Sequence, residues 1–147
     1  MNRPLRVVFL LIFSLLTGGL YATHNRAGEI TWERIGTNTI RCTLTTYTKF
    51  EGNAIPADRD SVELDWGDGS PLEWVRRING PIGAGGVPQG DFVRPGLKRN
   101  LYITEHTYPG FGHFRIGFVD PNRIADICNV NDPTSVTVKF YIETTVT

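Results

Sequence analysis

The side chains that could do chemistry in this sequence are few, and they are scattered along the chain. The histidines are His24, His106 and His113. No two of them have the spacing of metal ligands on one element. Ser70 precedes Pro71 in a turn, whereas the catalytic serine of a hydrolase lies between a strand and a helix. Because no acid, base and nucleophile cluster in the sequence, we expect neither enzymatic activity nor a cofactor.

Two aspartates, Asp65 and Asp68, are the carboxylates best placed to bind a cation. Calcium prefers oxygen ligands, and Asp120 or Asp132 could complete its coordination shell from other loops. The alternative is that Asp68 accepts hydrogen bonds from the amides of its own turn while Asp65 is solvated. We expect this structural role and therefore predict no metal, with calcium binding as the alternative.

Cys42 and Cys128 are the two cysteines. An even number of cysteines permits a disulfide in an exported chain, and a bond that closes so long a loop would stabilise the fold by about 2–4 kcal/mol. Alternatively, both are buried free thiols, because free cysteine packs as a small apolar residue. The sequence leaves both alternatives open.

The first 22 residues have the order of a secretory signal peptide. Arg3 and Arg6 precede an apolar run over residues 7–16, and Ala22 supplies a small residue for cleavage. The run has about half of the roughly 20 residues that a membrane span needs. We therefore predict a secreted chain whose mature part, residues 23–147, forms one domain.

The charge of the mature part argues against two classes of partner. Removal of the signal peptide takes away two of the 15 basic residues and none of the 15 acidic ones. The remaining chain is slightly acidic and has no basic run. Because nucleic acids and anionic membranes attract basic surfaces, we expect neither as a partner.

Seven segments alternate apolar and polar residues with a period of two. They cover residues 29–33, 40–45, 61–66, 72–77, 101–104, 114–118 and 136–143. Segments with one apolar and one polar face are typical of antiparallel sheets, and no helical pattern of useful length interrupts them. The sequence predicts an all-β fold, an antiparallel β-sandwich of about seven strands. In the fifth of these segments we assign Leu101 and Ile103 to the apolar face.

Trp74 is the aromatic residue whose orientation is hardest to assign. Arg76 lies on the same face of its strand. If Trp74 is exposed near Tyr102 or Tyr141, it could stack on a sugar ring and bind a glycan. We expect instead that Trp74 points into the core and that its strand twists outward at Arg76.

Residues 79–96 depart from the alternation, with six glycines and three prolines. Long loops of this composition are usually surface excursions. A phosphate-binding loop needs a helix that begins directly after it, and no helix signal follows Gly90. We expect a flexible surface excursion between two strands.

The most specific motif is Leu-Asp-Trp-Gly-Asp-Gly-Ser-Pro at residues 64–71. It predicts a strand that ends in a tight turn, in which Trp66 is buried and Gly67 and Gly69 adopt positive φ. Downstream, His106 and Tyr108 precede a strand of alternating aromatic residues that starts near residue 114. A tyrosine at this place is typical of the tyrosine corner of sandwich domains, where its hydroxyl contacts nearby backbone.

Together these two segments resemble the PKD family of immunoglobulin-like domains. The family pattern is an aromatic strand that runs into Gly-Asp-Gly-Ser, then His-x-Tyr, then a Gly-aromatic strand. The matching positions are Trp66, Gly67, Asp68, Gly69, His106 and Tyr108. The resemblance implies an immunoglobulin-like sandwich in which His106 has a structural role at its turn.

The wider chain resembles the amino-terminal domain of large surface proteins of gliding bacteria that carry a gliding-motility-associated C-terminal domain. The segments that carry this resemblance are residues 23–32, 120–123 and 140–144. It implies an adhesin-like, multidomain protein at the cell surface, usually exported by the type IX secretion system. Its partners would be neighbouring domains of a longer chain and an extracellular protein or glycan. A carbohydrate-binding module that uses exposed aromatic residues is the alternative function.

Overall fold

The described part of the chain is built from β-strands. A computed structural model describes residues 25–50, 59–121, 123–124, 127–130 and 134–147. The strands are β1 (Asn25–Arg34), β2 (Thr39–Phe50), β3 (Ser61–Asp65), β4 (Glu73–Arg76), β5 (Asp91–Arg94), β6 (Gly96–Thr107), β7 (Phe114–Asp120) and β8 (Phe140–Val146). None of these residues belongs to a helix long and apolar enough to cross a membrane. The predicted signal peptide, residues 1–22, lies outside the described residues.

The strands form two four-stranded sheets. Sheet A has the order β1-β2-β6-β5, and sheet B has the order β4-β3-β7-β8. All the strand pairs in both sheets are antiparallel. The two sheets form a β-sandwich, as the period-two alternation predicts.

The core lies between the sheets and is supplied by the inward faces of their strands. Its fully buried apolar side chains include Ile40, Cys42 and Leu44 of β2, Leu64 of β3 and Ile116 of β7. Burial of a side chain of this size contributes about 1.5–3 kcal/mol. The inward faces predicted for the segments in β2, β3 and β7 are confirmed.

The inward faces predicted for β4 and β6 are wrong. Val75 is buried, whereas Trp74 points outward and is 65% exposed. In β6 the buried residue is Tyr102, while Leu101 and Ile103 are only half-buried on the opposite face. The buried tyrosine is tolerated because its hydroxyl donates a 2.7 Å hydrogen bond to the carbonyl oxygen of Arg59.

Residues 79–96 are more regular than predicted. The amide of Gly83 donates to the carbonyl of Val87 and the amide of Gly90 to that of Asn79, each at 2.9 Å, so the segment folds back on itself. The last part of the segment contains β5, which pairs with β6. The strand β5 brings the number of strands among the described residues to eight, one more than the predicted seven.

The last predicted strand starts later than the alternation indicates. Residues Ser135–Thr137 form a 3-10 turn, and β8 begins only at Phe140. The amide of Thr137 donates to the carbonyl of Thr134 at 2.9 Å, a local bond that competes with strand pairing.

One end of the interior is polar. The guanidinium of Arg77, which is buried, donates to Asn100 Oδ1 at 3.0 Å and to the carbonyl of Pro88 at 2.7 Å. The amide nitrogen of Asn100 donates in turn to the hydroxyls of Thr46 and Thr48 at 3.3 and 3.2 Å. These hydrogen bonds replace those that the buried groups would make with water, and they link the chain after β4 to sheet A.

Candidate functional site

The motif residues converge at one corner of the sandwich. We call this set the corner cluster; it consists of Trp66, Asp68, Glu73, His106 and Tyr108. The Trp66 and His106 rings stack with centroids 4.4 Å apart and an interplanar angle of 8°. Tyr108 meets His106 edge to face at 4.8 Å and stacks on Phe114 at 4.1 Å. Residues from both sheets and their connecting turns therefore form one aromatic stack.

The turn that follows β3 has the predicted geometry. Gly67 and Gly69 have φ values of +71° and +85°. Asp65 Oδ1 accepts a 2.9 Å hydrogen bond from the amide of Gly67, and Asp68 Oδ1 accepts a 3.0 Å bond from the amide of Ser70. Both aspartates therefore hold the turn, as expected for Asp68, and Asp65 is also exposed to solvent, as expected.

Asp68 and His106 form a shielded pair. Asp68 Oδ2 lies 2.8 Å from His106 Nε2, and the two side chains are 5% and 14% exposed. Burial alone raises the pKa of Asp68, but the hydrogen bonds from the Ser70 hydroxyl and from His106 outweigh it and lower the pKa to about 2. The carboxylate is therefore ionised at neutral pH and holds the histidine in place.

Glu73 is the member of the corner cluster that the sequence does not single out. It accepts hydrogen bonds from Trp66 Nε1 at 2.9 Å and from the hydroxyl of Thr104 at 2.6 Å. The carboxylate thus bridges sheet B and sheet A. The signal that could have identified it is the buried Trp66, because a buried indole N–H needs an acceptor.

Tyr108 makes a tyrosine-corner contact with a distant partner. Its hydroxyl donates to the carbonyl of Trp66 at 3.4 Å, and its amide donates to the carbonyl of Asn38 at 2.9 Å. Burial raises the pKa of Tyr108 to about 12, so the hydroxyl keeps its proton. The predicted tie to backbone is present, but it reaches the opposite sheet.

Across the described residues, no three histidine, cysteine, aspartate or glutamate side chains are grouped so that they could hold a metal ion. Asp120, one of the additional calcium ligands considered, pairs with Arg59 at 3.2 Å. Asp132, the other, lies outside the described residues. The corner cluster therefore offers hydrogen bonding and stacking, and its geometry suits a structural role.

The cysteines form no disulfide. Cys42 faces the core from the central strand β2, and burial raises the pKa of its thiol to about 12. Cys128 is exposed in the chain between β7 and β8. The candidate disulfide is thus not formed, because one cysteine points into the core and the other is at the surface. Of the alternative of two buried free thiols, burial holds for Cys42 alone.

The outer face of sheet B carries a shallow groove of about 500 Å³. Its lining residues are Glu63, Asp65, Gly67, Leu72, Arg115, Gly117, Val119 and Tyr141. A smaller hollow of about 110 Å³ adjoins it at Trp74 and shares Glu63 and Val119 with it. Tyr141 is 48% exposed on this face, so Trp74 has an exposed aromatic companion there, whereas Tyr102 is buried.

Comparison with known proteins gives no relative. The chain matches no protein-family model, no curated protein and no solved structure.

Proposed function

We propose that the chain is an immunoglobulin-like, PKD-type module of a bacterial cell-surface protein, and that it works as a non-enzymatic spacer and adhesion domain. The observation that carries this proposal is the strand order. The order β1-β2-β6-β5 corresponds to strands A-B-E-D of immunoglobulin domains. The order β4-β3-β7-β8 corresponds to their strands C′-C-F-G, with C′ next to C as in variable-type domains.

The corner cluster supports the PKD type within that class. Trp66, Asp68, His106 and Tyr108 carry the sequence resemblance, and each contacts at least one other member of the set. Motif positions that are far apart in sequence but meet in one cluster favour a shared structural origin over chance similarity. A shared fold identifies the type of domain, whereas the ligand depends on the site.

The export of the chain is proposed from residues 1–22. To test it, the whole chain is expressed in a Gram-negative host, the host cells are fractionated and the amino terminus is measured by mass spectrometry. We expect cleavage before Thr23 and a product outside the cytoplasm. A Leu11→Arg variant is the control, because a charge in the apolar run blocks export. Uncleaved wild-type protein in the cytoplasm would refute the proposal.

The adhesive role needs a separate assay. Beads coated with the mature chain are allowed to settle on surfaces coated with extracellular matrix proteins or with polysaccharides, and the force needed to detach them is measured. We expect retention above that of beads coated with bovine albumin on at least one surface. Equal detachment from every surface would leave no support for adhesion.

A carbohydrate-binding module is the second candidate function. It is favoured by the outward orientation of Trp74 and by the exposed Tyr141 on the same sheet face. A glycan array tests it: glycan binding that is lost in Trp74→Ala favours this candidate, and an array without binding favours the spacer.

A further inference from the structure

We propose that the outer face of sheet B is a binding site for a neutral oligosaccharide that lies across its four strands between Trp74 and Tyr141. This inference rests on the proposed adhesive function, since it names the class of partner and the surface that binds it. The strand register, the shape of the groove and the chemistry of its lining each support it.

The register places Trp74 and Tyr141 at the two ends of one cross-strand row. Trp74 of β4 lies opposite Glu63 of β3, and Val119 of β7 lies opposite Tyr141 of β8. The pairing of Asp65 with Gly117 places Glu63 opposite Val119 and joins the two halves of the row. Three strand spacings separate the ends by about 14 Å, which is longer than a single sugar ring.

The neighbouring row contains a glycine, and the Tyr141 ring lies over it. Gly117 lies between Asp65 and Glu143 in that row. A Cβ atom at Gly117 would contact the Tyr141 ring at 3.6 Å. Because glycine has no side chain, the ring can pack directly on the backbone of β7. The groove and the smaller hollow meet at Glu63 and Val119, and together they extend between the two aromatic residues.

The lining combines the two kinds of contact that a sugar needs. The exposed rings of Trp74 and Tyr141 offer apolar faces for the C–H face of a pyranose, and both are amphipathic. Carboxylates between them accept hydrogen bonds from hydroxyl groups, and such charge-assisted bonds are strong. Among the described residues, Glu63 has no hydrogen-bond or ion-pair partner, so its oxygens can serve a ligand.

The charge of the groove selects a neutral sugar over an acidic one. Glu63, Asp65 and Glu143 bring three carboxylates to this face. Arg115 also lines the groove, and its guanidinium lies 3.5 Å from the Glu143 carboxylate. This ion pair offsets part of the positive charge of Arg115. The two other carboxylates, Glu63 and Asp65, lie at the centre of the site and would repel polymers of uronic acid or sulfated sugar there, whereas Arg76 is an exposed cation at the Trp74 end.

A protein partner fits this face less well. The centre of a protein–protein interface is depleted of charged residues, and its strongest contacts are buried apolar side chains near that centre. Here Glu63, Asp65 and Arg115 lie in the centre, and the aromatic residues are at the ends. A ligand with hydroxyl groups along its length satisfies this arrangement.

Titration calorimetry of the mature chain with defined sugars tests the proposal. The probes are cello-, xylo-, manno- and chito-oligosaccharides from the dimer to the hexamer, with polygalacturonate as the acidic comparison. We expect at least one neutral series to bind, with an affinity that rises with length and levels off once the sugar spans both rings. Trp74→Ala and Tyr141→Ala should each lower the affinity about tenfold.

Phe111→Ala is the matched control, because Phe111 is 84% exposed and lies outside the groove. It should leave the affinity unchanged. Far-ultraviolet circular dichroism and melting of each variant check that the fold is retained. Glu63→Gln keeps the shape of the side chain but removes its charge. It should therefore lower the affinity for neutral oligosaccharides and reduce the ratio of that affinity to the affinity for polygalacturonate.

Four results would overturn the proposal. The first three are no binding of any neutral series, unchanged affinity in both aromatic variants, and stronger binding of polygalacturonate than of the neutral sugars. The fourth is that the wild type binds a peptide and no sugar, and that Trp74→Ala abolishes this peptide binding. If no sugar binds but the chain is exported and adheres to protein-coated surfaces, the proposed binding site is wrong and the proposed function remains. Sugar binding by a chain that stays in the cytoplasm would overturn the proposed function instead.

Discussion

Asp68 is the residue whose environment changes its acidity in a way that links pH to stability. Its pKa falls from an ordinary value of about 3.9 to about 2 because Ser70 and His106 bind its ionised form. An aspartate whose pKa is lowered by folding stabilises the folded state fully when the pH is above its pKa in the unfolded state. This stabilisation is lost as the pH falls from about 4 towards 2. The pair should therefore contribute about 1–2 kcal/mol at neutral pH.

Asp68→Asn measures that contribution, because asparagine keeps the acceptor for Ser70 and loses the charge that faces His106. Urea unfolding at pH 6 and pH 2.5 should show that the wild type loses about 1–2 kcal/mol more than the variant between the two values. Equal losses in the two proteins would show that Asp68 is not the group responsible.

The two thiols should differ sharply in reactivity. Cys42 is buried with a pKa of about 12, whereas Cys128 is exposed. Because the thiolate is the reactive form, an aromatic disulfide reagent at pH 8 should label one thiol in the folded, unreduced protein and two after unfolding in urea. Cys128→Ser should abolish the label in the folded state. A count of zero in the unfolded, unreduced protein would mean that the cysteines are joined after all.

At the scale of elements, the turn between β3 and β4 depends on two glycines with different surroundings. Gly69 has positive φ and open space around it, whereas a Cβ atom at Gly67 would come within 2.4 Å of the carbonyl oxygen of Arg115. Gly69→Ala should cost about 1–2 kcal/mol from backbone strain alone. Gly67→Ala should cost about 3 kcal/mol or more, because β3 and β7 must also separate.

Chemical denaturation of the two alanine variants checks this difference, with Gly110→Ala as a control at a glycine that has neither positive φ nor close neighbours. If Gly67→Ala and Gly69→Ala were equally stable, the close approach of β7 to this turn would not be important for folding.

The strands show how far the alternation of residues can predict a fold. In β3, Val62 and Leu64 have only polar neighbours, so one face alone can be buried and the prediction is confirmed. In β4, both faces offer apolar residues, and the larger Trp74 and Leu72 outweighed Val75 in the prediction. Period-two patterns fix the spacing of side chains but not which face is buried when both are apolar.

In the candidate site, too, some features could be predicted from the sequence and others could not. The turn motif predicted the positive φ values and the hydrogen bonds of Asp68, because these depend on residues two positions apart. The bridge from Glu73 to Thr104 and the row from Trp74 to Tyr141 depend on strand pairing over long sequence distances. A single sequence carries no direct signal for such pairings.

At the scale of the whole molecule, hydrogen bonds among the described residues join the two sheets in at least three regions. The corner cluster links them at the turn after β3 through Glu73. The edge strands β1 and β8 are linked by Trp32 Nε1, which donates to the carbonyl of Thr145 at 3.0 Å. The buried guanidinium of Arg77 links the chain after β4 to β6 through Asn100. With its sheets linked in these places, the outer face of sheet B would be a rigid platform for the proposed oligosaccharide.

This architecture predicts a gradient of local stability that hydrogen exchange can measure. The strands β2 and β6 pair along twelve residues each and have a partner strand on both sides. The strand β5 has four residues, a single partner strand, and exposed Phe92 and Val93. Amides of β2 and β6 should therefore exchange only through global unfolding, whereas those of β5 should exchange through local opening with a free energy near zero.

Exchange followed by mass spectrometry at several urea concentrations distinguishes the two routes, because exchange through global unfolding speeds up steeply with denaturant and exchange through local opening does not. The Asp68→Asn variant should speed exchange in β2 and β6 by the same factor as its loss of global stability and leave β5 unchanged. If β5 were as protected as β2, the edge of sheet A would be held by contacts beyond its pairing with β6.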